Sequence, residues 1–252
     1  MVSETVILVT NDDGVDAVGL GVLARAARAL GRVLVVAPVS ERSGCGQAIT
    51  VPRAGRPEPL GVRGRTGWYR LDGTPSDCVD AGLEMSDEIA IVLSGVNAGA
   101  NVGVDVHYSG TVAAAKQAAF RGVPGVAVST ASRRPEHPET AAAVAVAFAR
   151  LLLTRPPTPV ALNVNAPDVP LSQLRGVAVV RQALGVVARA YDCEDAHKLL
   201  RGAPDAVPTD AEALMAGAAA VMPVSLDATA AGVIDILETW RERAWTREPD
   251  TI

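Results

Sequence analysis

Ile7-Leu8-Val9-Thr10-Asn11-Asp12-Asp13-Gly14 is an apolar run that stops abruptly in two adjacent carboxylates and a glycine. The apolar half predicts a buried strand over Thr5 to Thr10. The acidic half is an electrostatic problem, because side-by-side anions at a strand end need a compensating cation. A hard divalent ion such as Mg²⁺ or Mn²⁺ suits carboxylate, amide carbonyl, hydroxyl and water oxygens. Metal-assisted chemistry on a phosphate is therefore the leading reading of this stretch.

Outward from this strand, Val- and Ile-rich runs alternate with Ala/Leu-rich stretches of helical length, the pattern of βαβ units. Helices are expected over Gly19 to Leu30, Pro75 to Leu83, Gly110 to Arg121, Glu136 to Leu153 and Thr229 to Arg241. Further strands are expected over Arg32 to Ala37, Trp68 to Leu71, Ile89 to Leu93, Val126 to Ser129 and Val160 to Val164. The fold class is thus α/β with a doubly wound, mostly parallel sheet nearly complete by residue 165. Beyond Pro167 the pattern weakens: Val177 to Arg181 and Ala218 to Val221 are candidate strands, and Tyr191 to Pro208 is polar without a clear period. The whole chain reads as one domain, with residues 1–165 as the core that carries the site and 166–252 as a hairpin arm and C-terminal helix.

The 252 residues are enough to bury a core without disulfides or a structural metal. Aromatic residues make up only 3%, so that core is built from Ala, Val and Leu. A net charge of -5 with no basic block argues against nucleic acid as a partner. Cys45, Cys78 and Cys193 lack the spacing of a zinc site and read as reduced thiols of a cytoplasmic protein. No signal peptide and no apolar run of membrane-spanning length is expected.

In open α/β sheets, ligands bind at the carboxyl ends of strands. Three loops leave such ends here: Asn11-Asp12-Asp13-Gly14, Arg42-Ser43-Gly44, and Asn97-Ala98-Gly99 with Asn101. Together they offer two carboxylates, a hydroxyl and amides, an all-oxygen set for an octahedral ion that keeps several waters. A fourth element, Tyr108-Ser109-Gly110-Thr111, opens a helix whose N–H groups and dipole suit a phosphate. Taken singly, Asp-Asp-Gly is more often a turn and Ser-Gly-Thr more often an N-cap. The functional reading rests on all four meeting at one sheet edge. His107 lies close to this group in sequence, whereas His137 and His197 sit in polar segments with no partner and read as surface residues.

Thr10 to Gly14, Val35 to Gly44 (VVAPVSERSG), Gly73 to Val79 (GTPSDCV), Leu93 to Asn101 (LSGVNAGAN) and Tyr108 to Ala115 (YSGTVAAA) resemble, in order, the motif series of the SurE family of metal-dependent nucleotidases. The resemblance implies a Rossmann-like core and one divalent cation per subunit, Mg²⁺ or Mn²⁺. It implies hydrolysis of phosphomonoesters, typically the 5′ or 3′ phosphate of nucleoside monophosphates. Carried over by motif, Asp12, Asp13, Ser43 and Asn97 are the metal ligands, with Asp12, Asp13 and Asn97 carrying catalysis. Asn11, Asn101, Ser109, Gly110 and Thr111 face the phosphate, and either Asp12 or Asp13 serves as general base. Homodimers or homotetramers with an exchanged arm and helix are also implied.

The chain departs from that series in two places. Asp16 stands where the family often has His, which makes the pocket rim more acidic. Between Arg181 and Leu214 the usual Asp-Pro-Arg-Gly segment and aromatic strand are missing, and Thr209-Asp210 is the only recognisable anchor. Substrate choice therefore stays open toward a phosphorylated metabolic or biosynthetic intermediate. A non-catalytic nucleotide-binding module is a further alternative, although neither GxGxxG nor GxxxxGK[ST] is present. A haloacid-dehalogenase-like site is disfavoured, because its paired aspartates stand two residues apart and Asn11 holds the position two before Asp13.

Overall fold

The computed structural model describes residues 5–154, 160–184 and 207–244. Strands β1 (Val6–Thr10), β2 (Arg32–Pro38), β3 (Glu58–Arg63), β4 (Thr66–Leu71), β5 (Ile89–Ala98), β6 (Gly125–Thr130), β7 (Ala161–Ala166), β8 (Val177–Val179) and β9 (Ala219–Val224) form one sheet. Their spatial order is β3-β4-β2-β1-β5-β6-β7-β9-β8. The six strands from β4 to β7 run parallel, and antiparallel pairs join β3 to β4 and β7 to β9.

Helices α1 (Val18–Ala27), α2 (Pro75–Met85), α3 (Gly110–Phe120) and α4 (Pro138–Thr154) cover both faces. Strand alternation divides the core between them. Ile7, Val9, Val33, Val35, Ile91 and Leu93 pack toward α1 and α4, while Val6, Leu8, Leu34, Val36 and Val92 pack toward α2 and α3. Every residue of β1 is buried, which explains why its sequence is a continuous apolar run rather than an alternating one. Because β2 lies on one side of β1 and β5 on the other, the strand order reverses at β1, and the crevice at its carboxyl end is the place where such sheets bind ligands.

Several boundaries differ from expectation. β5 continues past Leu93 to Ala98, carrying Asn97 into register with Ser129 of β6, so part of the expected glycine loop is strand. β3 is an exposed edge strand containing Pro59 and Gly61, residues that argue against a strand in sequence. The six-residue helix α5 (Asp210–Met215) and the 3-10 turn Val104–His107 are too short for periodicity to reveal. α6 (Ala231–Ala244) matches the expected C-terminal helix. Most of Tyr191 to Pro208 lies outside the described residues, as does Cys193.

The fit of α3 on the sheet depends on small residues. Its own Ala113, Ala114, Ala115, Ala118 and Ala119 are all buried. A Cβ at Gly125, the first residue of β6, would lie 2.1 Å from the Ala115 carbonyl oxygen. Gly125→Ala is therefore expected to lower unfolding stability in urea by about 1–3 kcal/mol through overpacking. Gly55→Ala, where nothing lies within 4 Å, should stay within about 0.5 kcal/mol of the parent.

Candidate active site

The turn after β1 is held by its own side chain. Asn11 Nδ2 donates to the Gly14 carbonyl at 2.8 Å, and Val15 N–H donates to the Pro38 carbonyl at 2.8 Å. The loop after β2 is then pinned to this turn by the Arg42 N–H, which donates to the Asp12 carbonyl at 2.7 Å. The Arg42 guanidinium reaches Asp72 Oδ1 at 2.6 Å, and Ser43 follows next in the chain. From β5, Asn97 Nδ2 donates to the Gly99 carbonyl at 2.8 Å, which commits the amide nitrogen and leaves its oxygen available. Ala98 N–H bonds to the Asp13 carboxylate. Asp13, Ser43 and Asn97 thereby line one cavity of about 750 Å³, together with Glu41, Ser132 and Arg133.

Asp12 lies behind this cavity and is only 4% exposed. Burial pushes its carboxyl above the ordinary range, opposed by the Thr111 hydroxyl and by the Gly110 and Thr111 N–H groups. Asp13 is pushed up to about 7, first by burial and then by the charge of Asp12, with Glu41 acting in the same direction. Among the described residues, no cationic side chain figures in the surroundings that shift either carboxylate. The Asn11 Oδ1 atom is buried without a partner beside them.

This donor set fits a hard divalent cation: crowded carboxylates, one hydroxyl and an uncommitted amide oxygen. Among the described residues no group of three or more His, Cys, Asp or Glu side chains is arranged to hold a metal ion, so the set depends on two carboxylates together with neutral oxygens.

The N-terminus of α3 abuts Asp12, and none of Ser109, Gly110 and Thr111 lines the cavity. Ser109 is its N-cap, with Oγ accepting from the Val112 N–H at 3.1 Å. A Cβ at Gly110 would lie 2.9 Å from both Asp12 Cβ and Cys45 Sγ, so glycine is what lets the helix end press against the carboxylate. Thr111 is fully buried and donates its hydroxyl to Asp12 Oδ1. That commits its single hydroxyl hydrogen to the carboxylate and makes Thr111 a support for Asp12. Asn101 is similarly committed: its N–H donates to Asn165 Oδ1 at 2.8 Å, its Nδ2 to Ser129 Oγ at 2.9 Å, and its carbonyl accepts from Asn163 Nδ2 at 2.7 Å.

His107 lies 3.1 Å from Gln182 Nε2. The His137 N–H donates to Asp168 Oδ1 at the start of α4, remote from the cavity lining. His197 lies outside the described residues. Asp16 is exposed and does not line the cavity. Glu41, Ser132 and Arg133 were not singled out from the sequence. The signal for Ser132 and Arg133 was available, since they follow β6 at the same sheet edge as the other loops.

The family model described as survival protein SurE matches residues 7–188. A 5'-nucleotidase SurE from Methylococcus capsulatus is 45% identical over 178 residues, 69% of each chain. Another, from Pelobacter propionicus, is 47% identical over 180 residues, covering 70% of this chain and 71% of that one. The crystal structure of the SurE protein from Aquifex aeolicus superposes with a TM-score of 0.74 at 30% identity, covering 94% of this chain and 99% of that one.

The raised carboxyl of Asp13 has a thermodynamic consequence with a definite sign. In protein stripped of divalent ions, the folded state keeps this proton while the unfolded chain has already lost it. Stability from this group is full below the ordinary aspartate range and is lost as pH rises toward about 7. The thermal midpoint of the chelated wild type is therefore expected to fall more steeply between about pH 4 and pH 7 than that of Asp13→Asn. Parallel curves would show that Asp13 is not crowded.

Proposed function

The chain belongs to the SurE family, and from that premise we propose that Asp12, Asp13, Ser43 and Asn97 hold one divalent cation, Mg²⁺ or Mn²⁺, against a phosphate seated at the N-terminus of α3. The protein is a phosphoric monoester hydrolase of the 5′-nucleotidase type, acting on nucleoside monophosphates. The observation that carries the site assignment is the contact across Gly110, where a helix end suited to anions abuts a buried carboxylate suited to cations.

When bound, such an ion polarises a phosphoryl oxygen and lowers the pKa of a coordinated water. The chain supplies the rest. Ser109, at the N-terminus of α3, neutralises charge that develops on the transferred group, while the Gly110 N–H is given to Asp12. Thr111 holds Asp12 in place through its hydroxyl. Asp13, which opens on the cavity, is the better placed of the two carboxylates to take a proton from attacking water. Asn11 and Asn101 shape the loops that present these groups.

A second reading follows from Arg133, which lines the cavity and makes no ion pair among the described residues. An unpaired guanidinium there favours a phosphomonoester with a second anionic group, as in many phosphorylated metabolic or biosynthetic intermediates. A panel comparing nucleoside monophosphates with small doubly anionic phosphates decides between the two.

Two features support a homodimer or homotetramer in the cytoplasm. α6 exposes Val233, Ile234, Ile236, Leu237 and Trp240, an apolar face suited to a second copy. Cys45 and Cys78 are free thiols, in keeping with a reducing compartment. Among the described residues, no helix is long and apolar enough to cross a membrane.

Activity on nucleoside monophosphates should vanish with EDTA and return on adding Mn²⁺ or Mg²⁺. Asp13→Asn should lower kcat roughly 10²-fold or more while retaining the wild-type circular dichroism spectrum. Activity that survives chelation, or a fully active Asp13→Asn, would falsify the metal assignment.

A further inference from the structure

The loop from Gly99 to Tyr108 joins the two halves of the site, and Asn101 ties its first part to β6 and β7 through Ser129, Asn163 and Asn165. Gly103 lies at its midpoint, six residues after Asn97 and six before Ser109. Its φ of 58° is in the left-handed region that favours glycine. Both polar atoms of this residue are held by side chains from far along the chain. The Gly103 N–H donates to Asp210 Oδ2 at 2.8 Å, and its carbonyl accepts from Gln182 Nε2 at 2.8 Å. Gln182 Nε2 also lies 3.1 Å from His107 Nε2.

The holders are themselves fixed. Arg181 pairs with Thr209: its N–H donates to the Pro208 carbonyl at 3.0 Å, and the Asp210 N–H donates to the Arg181 carbonyl at 2.9 Å. Thr209 and Glu212 form a capping box at the start of α5. Asp210 is fully buried, and its other oxygen, Oδ1, accepts from the Ala183 N–H at 3.0 Å and the Ala211 N–H at 2.9 Å. Burial pushes this carboxyl up, and the Gly103, Ala183 and Ala211 N–H groups oppose the shift. A carboxylate is costly to bury, and an ordinary α5 N-terminus does not require one. What it achieves here is to join three chain segments at a single side chain.

We propose that Asp210 and Gln182 are positioning residues of the active site, clamping Gly103 so that Ser109 and Gly110 stand at the correct distance from Asp12 and Asp13. The clamp acts on the phosphate seat rather than on the cation ligands. Asn97 is anchored separately, by its register with Ser129 and by the Gly99 N–H, which donates to the Thr130 carbonyl at 3.0 Å. The inference rests on the assignment of Ser109, at the N-terminus of α3, to the phosphate.

Asp210→Asn is the most direct test. If its remaining oxygen serves Ala183 and Ala211, its amide nitrogen must face the Gly103 N–H, donor against donor. Gln182→Leu keeps the bulk at a half-buried position and removes the donor to the Gly103 carbonyl, and so serves as a second variant where Asp210→Asn folds poorly. For each, kcat, inhibition by inorganic phosphate and Mn²⁺ affinity by titration calorimetry are measured. The expected result is a loss of at least about tenfold in kcat and in phosphate affinity, since small misplacements are severe in such sites, with Mn²⁺ affinity within about threefold of wild type. A merely structural role would lower thermal stability and leave phosphate inhibition of the folded fraction unchanged, which overturns the clamp. Equal losses of Mn²⁺ and phosphate affinity also overturn it. A wild type that neither needs Mn²⁺ nor is inhibited by phosphate would overturn the site assignment first, and the clamp with it.

Discussion

Two carboxylates held together at the buried end of β1 are the constraint around which the rest is arranged. Like charges in a low-dielectric setting repel strongly, and burial removes the water that would screen them. The fold answers with dipoles: the Ala98 N–H on Asp13, and the Thr111 hydroxyl with the first N–H groups of α3 on Asp12. Such groups orient the carboxylates without cancelling their charge. Carboxylates held by dipoles alone keep their negative charge, as the proposed cation site requires.

That arrangement depends on how closely α3 approaches the sheet. Larger side chains at Gly110 or Gly125 would lift the helix, and the dipoles would no longer reach Asp12. The composition that looked plain in sequence, rich in alanine and poor in aromatics, is thus tied to the chemistry. Five buried alanines on α3 itself let its N-terminus meet the strand end.

The parts of this molecule that were readable in sequence are those governed by local pattern. The fully apolar β1, the Pro-initiated α2 with its Thr74 to Asp77 capping box, and the strand-end motifs each carry their signal within about ten residues. Position at a shared sheet edge brought Asp13, Ser43 and Asn97 into one cavity. What was not readable arises from long-range partners. β3 is a strand because β4 offers it an edge. Thr111 and Asn101 have the chemistry of phosphate ligands, and only the fold shows their hydrogen bonds going to Asp12, Ser129 and Asn165. Arg133 could have been inferred from its place after β6, but no residue type nearby draws attention to it.

The division of labour along the chain follows from the same topology. The proposed cation ligands follow β1, β2 and β5, three adjacent strands, so parallel pairing alone brings them together. The proposed phosphate seat is different, because it comes at the end of the loop that joins β5 to α3. The parallel core fixes that loop at Asn101, through Ser129, Asn163 and Asn165. Two residues on, at Gly103, the partners are Gln182 and Asp210. Thr209-Asp210 therefore stands as an isolated anchor in a region that otherwise departs from the family pattern. In the proposed clamp its task is to hold Gly103 in place.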